Sequence, residues 1–270
     1  MNRKQIKKIV ANPRHIPGIH NYCDRWCERC TKTLRCSIYA VESADRSGPR
    51  SRDPENEAFW KRLREIFVLT MEMVQAYAKK NGIPLNKTMT QEEIDAENQV
   101  DLQTDDHPLV TAGMTYLQKV RHWFDSNEEL LRRMTEQFES RLEMELPADN
   151  PEAEWRDLHN AIEVVQWYFA FIAVKLRRAV HQLLLPPEPD EGETTDIPSD
   201  SDGSAKIALI GIDRSIEAWA IILKSLPEQE KEILDFLVHL ESLRKQAEQT
   251  FPNARAFIRP GFDEPSHNRR

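Results

Sequence analysis

After residue 54, apolar residues recur every three or four positions through most of the chain, the period of a helix that buries one face. In "NEAFWKRLREIFVLTMEMVQAYAKKNG", Phe59, Leu63, Ile66, Thr70, Met73 and Tyr77 fall on one side, and Gly82 is placed to end the helix. Residues 83–107 are polar and weakly patterned. They read as a long connection, with Thr90 and Glu93 spaced to cap a short turn. A second helix is predicted over about 108–146, with Leu117, Val120, Phe124, Leu131, Met134 and Phe138 as its stripe and "DSN" at 125–127 as a break. The third pattern is the strongest in the chain. Trp155, Leu158, Ile162, Val165, Phe169, Ile172, Leu176 and Leu183 make a near-heptad seam, while Val164, Tyr168, Phe171 and Val174 add apolar surface opposite. A helix apolar on two sides belongs in the centre of a bundle.

The pattern then stops at "PPEPDEGETTDIPSDSDG", residues 186–203, which holds four prolines and seven acidic residues and only Ile197 as an aliphatic. Such a composition cannot bury enough surface to order itself and predicts a flexible crossover within one domain. Leu209, Ile212, Ile216, Trp219 and Leu223 mark a fourth helix. "SLPE" at 225–228 combines a proline at a helix start with a Ser/Glu capping box. Ile233, Phe236, Leu240, Leu243 and Ala247 give the fifth stripe, and so short a joint implies an antiparallel pair. "FIRPGF", at the end, is expected to pack as an irregular cap. No run alternates long enough to be a strand, so the fold expected is all-α: a bundle of about five helices with an irregular N-terminal four-cysteine head. The expected organisation is a basic metal-binding head at 1–54, the first part of the bundle at 55–185, the acidic linker at 186–203, and a helical hairpin with a tail at 204–270.

The head is where chemistry concentrates, because all four cysteines of the 270 residues, Cys23, Cys27, Cys30 and Cys36, lie in "HNYCDRWCERCTKTLRC". Composition says which chemistry to expect of them. With 40% apolar and 30% charged residues, a mean hydropathy of −0.64 and no apolar run of bilayer length, the chain reads as a soluble globular protein without a signal peptide, and the cytoplasm is the expected compartment. Clustered thiols in a reducing cytosol read first as metal ligands or redox groups. Their gaps of three, two and five residues suit one four-thiolate site. Iron–sulfur clusters and structural zinc both accept four thiolates. Zinc usually draws on two separated CxxC knuckles, and only Cys27 and Cys30 form such a pair. A single wrapping segment suits the larger [4Fe-4S] cubane, which is the expected cofactor, with zinc as the alternative.

Two motif comparisons sharpen this. C-x2-C-x5-C, from Cys27 to Cys36, resembles the end of the [4Fe-4S] loop of endonuclease-III-like DNA glycosylases. The first gap is shorter here, and "IPGIHNY" offers only Gly18 where their hairpin has a second glycine, so the likeness implies a cubane and not glycosylase activity. C-x3-C-x2-C, from Cys23 to Cys30, matches the radical SAM motif. Arg29 replaces the aromatic usual there, Cys36 could fill the iron position SAM needs, and no β/α repeat follows. The string "IPGIHNYCDRWCERC" followed by "RC", together with "GSAKIALIGIDRSIEAW" at 203–219, resembles an uncharacterised family of bacterial proteins. That resemblance implies that head and bundle travel as one unit, and brings no activity with it.

Charge adds a question of partners. Residues 1–36 carry a net +7 within a chain of net −8, so the rest carries −15. A basic head can meet phosphates or dock on its own acidic body, and docking is the expectation, since nucleic-acid binders usually show a whole basic domain. Around the cysteines, His15 and His20 could donate to cluster sulfur, gate a proton or replace a ligand, or simply be polar loop residues; Trp26, between two ligands, is expected to shield the site. In the bundle, His159, Glu163, Trp167 and Lys175 could form a pocket, but an exposed stripe of Glu163, Gln166 and Arg177 beside a snorkelling Lys175 is the simpler reading. Lys206, Asp213, Glu217 and Lys224 read as a solvated stripe. The chain has no paired Glu-x-x-His elements, Gly-rich phosphate loop, G-x-S-x-G elbow or H-E-x-x-H, so no catalytic residue is assigned. The function expected is electron transfer or redox sensing with a protein partner. A zinc-stabilised interaction module and a nucleic-acid-associated factor are the alternatives.

Overall fold

The structure, a computed structural model, describes residues 3–44, 53–85, 89–143, 151–186 and 200–263. Among them are nine α-helices and no strand: α1 (Arg3–Val10), α2 (Ser37–Ala44), α3 (Glu57–Asn81), α4 (Gln91–Asp106), α5 (Pro108–Ser126), α6 (Glu128–Glu143), α7 (Pro151–Leu184), α8 (Asp200–Ser225) and α9 (Glu230–Thr250). The fold is all-α. The chain divides into two compact units, one formed by Met1–Asp95 with Arg259–Arg270 and the other by Ala96–Ile258.

The second unit is a bundle built around α7 and α8, with α5 and α9 completing its core. From α7 come Leu158, Val165, Tyr168, Ile172 and Leu176, all fully buried. The stripe expected on α9 is buried at all five positions. On α5 the buried face is Leu109, Val110, Gly113, Tyr116, Val120 and Trp123, rotated from the expected one so that Leu117 and Phe124 sit at its edges. Gly113 lies on that buried face, and its missing side chain admits Leu176 and Ala173 of α7. The break expected at 125–127 falls at Asn127, whose amide bonds the carbonyls of Trp123 and Phe124 before α6 begins. In the core, Trp219 Nε1 donates to the Tyr116 hydroxyl at 3.0 Å, and the Trp219 ring lies 4.6 Å from Phe236 and 5.0 Å from Trp123.

Three expectations are corrected. Residues 91–106 are a helix, not a connection. Thr90 Oγ1 accepts from the Glu93 amide at 3.2 Å while Glu93 Oε2 accepts from the Thr90 amide at 2.8 Å, a complete capping box whose helix buries only Thr104 and so leaves little periodic signal. α8 also begins earlier than expected, taking in 200–203 from the supposed linker. Ser201, Gly203, Ser204 and Ala205 are small enough to lie buried, and Asp200 accepts three Arg178 bonds at 3.0, 3.2 and 3.3 Å. Residues 187–199 of that linker lie outside the described residues. Ser225 does not cap the next turn; its hydroxyl donates back to the Ile221 carbonyl at 3.4 Å, and Pro227–Gln229 forms a 3-10 turn without a side-chain cap.

In the first unit, α1 packs on α2. α3 has the boundaries its sequence predicts, with Asn56 Oδ1 capping the Ala58 amide at 3.0 Å and Gly82 closing it at φ 69°. It belongs to this unit rather than to the bundle, and it buries only Ala78.

Candidate metal centre

Between α1 and α2 the backbone runs through consecutive turns, each short enough to bring the next cysteine back toward the last. Asn12 Oδ1 caps the Arg14 amide, the Ile16 amide reaches across to the Arg35 carbonyl at 3.0 Å, and Gly18 turns at φ 71°. Asp24 Oδ1 accepts from the Trp26 amide at 3.2 Å, which folds the chain tightly enough to push Arg25 to φ 59°. A side chain other than glycine pays roughly 1–2 kcal/mol for that conformation. Cys27 opens and Cys30 closes a 3-10 turn, and Cys36 follows a second one at Thr33–Arg35.

The result is that Cys23, Cys27, Cys30 and Cys36 all line one cavity, walled also by Ile19, His20, Trp26, Tyr39 and Phe262. Backbone amides point at the sulfurs. The Lys32 amide donates to Cys30 Sγ at 3.3 Å, the Tyr39 amide to Cys36 Sγ at 3.5 Å, and the Arg25 amide to Cys23. Cys36 directly precedes α2 and takes the Tyr39 amide as an N-cap side chain would. Cys23 Sγ in turn donates to the His20 carbonyl at 3.5 Å.

Burial raises the Cys23 thiol above its ordinary pKa, against the Arg25 amide and charge, which pull it down. Burial raises Cys27 as well, with Glu42 adding to it. His20 is lowered, by burial first and the Arg25 charge second. Thiols held in the neutral form must give up protons when they bind a metal. Elsewhere in the head the Arg29 guanidinium stacks 4.0 Å above the Trp26 ring, and among the described residues the buried Nδ1 atoms of His15 and of His20, which lines the cavity, have no hydrogen-bond partner. A buried imidazole nitrogen without a partner is costly unless something else is meant to meet it.

The donor set suits a soft metal or cluster, since four thiolates select zinc or iron–sulfur. Among the described residues no three His, Cys, Asp or Glu side chains are close enough together to hold a metal ion as they stand. The free space between the cysteines is about 20 Å³, room for one water.

The bundle residues singled out by sequence do not converge. His159 Nε2 lies 3.5 Å from Glu163 Oε1 and its ring 5.5 Å from Trp155, on an exposed helix side. Lys175 sits 5.4 Å from the Phe171 ring, and Arg177 pairs with Asp101 and Asp105 of α4 at 3.0 and 2.7 Å. The stripe on α8 is only half solvated. Lys206 donates to the carbonyls of Arg255 and Phe257 and Asp213 binds Arg244 and Arg255, while Glu217 and Lys224 remain exposed. Sequence reasoning missed Tyr39 and Phe262 as walls of the cavity; the second was signalled only by "RPGF", a turn sequence with no stated destination.

Among the described residues no helix is long and apolar enough to cross a membrane. No protein-family model, no curated protein and no solved structure matches the chain.

Proposed function

We propose that this chain is a helical iron–sulfur protein in which Cys23, Cys27, Cys30 and Cys36 hold a [4Fe-4S] cluster, and that it serves electron transfer or redox sensing for a protein partner. The observation that carries the reading is the convergence of all four cysteines on one cavity with backbone N–H groups directed at three of their sulfurs. Such amides stabilise thiolate charge and are what a neutral, inert cysteine does not need. A bound cluster would supply one-electron transfer. The chain's own part is to hold four thiolates, donate three amides to them and exclude water with Trp26, Tyr39 and Phe262.

Spacing supports a cluster over a single ion. The four cysteines come from one wrapping segment rather than from two separated CxxC knuckles, of which only Cys27 and Cys30 form one. The second reading, a zinc-stapled interaction module, is favoured by one fact, the water-sized space between the thiols. Either would need the segment to adjust as the metal enters, as is usual where binding and folding are coupled.

Anaerobic purification with metal analysis and visible spectroscopy separates them. Four irons with acid-labile sulfide and a brown absorbance that bleaches in air are expected; colourless protein with one tetrahedral zinc would replace the first reading with the second. Each single Cys→Ser change should lower metal content, and full loading after Cys36→Ser would overturn the four-ligand set.

A further inference from the structure

The wall of the cavity that comes from farthest away in sequence is Phe262, and the turn that carries it is built with unusual care. Gly261 stands at φ 74°, and a Cβ there would lie 2.5 Å from Ile16 Cδ1 and 3.1 Å from Ile19 Cδ1, so the backbone itself presses on the loop that leads to Cys23. Across the turn, Arg259 Nε and Nη2 donate to the two oxygens of Asp263 at 2.9 and 2.8 Å, and the Arg259 amide adds a third bond to Oδ2 at 3.0 Å. The pair is only 18% and 22% exposed, so water competes with it poorly. The Arg259 guanidinium lies 5.0 Å from the Phe262 ring centroid, a cation–π contact that helps hold the ring. The charges of this turn cancel each other, and what it offers the cavity is one apolar ring.

We propose that Arg259–Asp263 is a working part of the metal centre, a clamped turn that positions Phe262 as the wall limiting water, oxygen and chelator access to the four cysteines. The inference rests on the four-thiolate reading. An apolar shell around a thiolate site controls solvent access and local dielectric, and hence both metal retention and potential. Phe262 is therefore a positioning and shielding residue, not a ligand.

The test uses the full chain with Phe262→Ala, Phe262→Leu and Asp263→Asn. In metal-free, reduced protein, the rate of cysteine alkylation by iodoacetamide is measured at fixed pH; in metal-loaded protein, the rate of iron loss in air, or of zinc loss to a chelator. Phe262→Ala should speed both several-fold while initial metal content and helicity stay unchanged. Phe262→Leu should restore most of the protection, because the wall needs bulk and apolarity rather than a ring. Asp263→Asn, which keeps the wall and loosens its clamp, should fall between. Unchanged rates in Phe262→Ala and Asp263→Asn would overturn the proposal, as would a Leu variant no better than Ala. If Phe262→Ala loses the fold of the head, the Leu and Asn variants decide alone. A native chain that takes up neither iron nor zinc would instead defeat the four-thiolate reading, and the alkylation rates would still judge the wall.

Discussion

Gly211 lies where α7 and α8 come closest, and replacing it by alanine sets two known effects against each other. A Cβ at this position would stand 3.0 Å from Tyr168 Cδ1 and 3.1 Å from Ile172 Cγ1. Both neighbours are fully buried, and the Tyr168 hydroxyl is held by Arg214, so neither can swing aside cheaply. Alanine in a helix interior is worth about 0.5–1 kcal/mol over glycine. Overpacking a tight core costs about 1–3 kcal/mol. The crowding should win by about 1 kcal/mol, between extremes of about 0 and 2.5, which for a unit of this size lowers Tm by roughly 2–4 °C at about 2–4 °C per kcal/mol. Gly113→Ala is the control. Its Cβ would meet Leu176 Cδ1, the tip of a flexible side chain, at 3.2 Å and the Ala173 backbone at an ordinary 3.5 Å, so the helix gain should nearly cancel the crowding. Urea unfolding followed by tryptophan fluorescence reads both, since Trp123 and Trp219 report on the same core. A Gly211→Ala protein as stable as the parent, or a Gly113→Ala protein hurt more, would refute the close-approach account.

The bond from Arg177 holds the Asp105 carboxyl below the usual carboxylate range, so its contribution is present at neutral pH and is lost as pH falls through that lowered value. Asp105→Asn should flatten the acid limb of the bundle's stability curve, the more so at low salt because the pair is exposed; parallel curves for the two proteins would count against it. Arg25→Gly should stabilise the metal-free head by up to about 1.5 kcal/mol, the left-handed strain of roughly 1–2 less the added chain entropy of roughly 0.5–1, while keeping the amide that meets Cys23; a lower melting point than Arg25→Ala would contradict this. Nucleic-acid affinity should be negligible even at low salt despite Arg25, Arg29, Lys32 and Arg35, because the remaining −15 of charge repels a polyanion. Tight binding with a steep salt slope that disappears on reversing those four charges would show the opposite.

The parts of this structure that could be read in advance are those whose partners leave a regular mark nearby. α7 and α9 bury continuous stripes at helical spacing, and their named residues lie in the core. α4 is held by its capping box and by Arg177, so it shows no stripe to find. α1 and α2, eight residues each, are too short for a period to stand out and depend on packing against each other. The first residues of α8 hid in an acidic, proline-bounded stretch because burial there favours Ser, Gly and Ala, residues that pattern reading treats as neutral. The thiols were legible since all four sit in one segment. Tyr39 and Phe262 were not, because nothing local distinguishes an aromatic residue that faces the cysteine cavity from one that faces a core.

The two-ended make-up of the first unit has a consequence in time. Phe262 is added to the growing chain long after Cys36, on the order of ten to forty-five seconds later at about 5–20 residues per second. Through that interval the segment with the four thiols has no C-terminal wall, since Phe262 does not yet exist. If the four cysteines take up the proposed cluster, its delivery has an open window during synthesis, when access is easiest and unwanted oxidation is also fastest. On the proposed reading, a metal that arrives while the ribosome is still on the bundle meets an open cup, and one that arrives afterwards must get past a clamped ring.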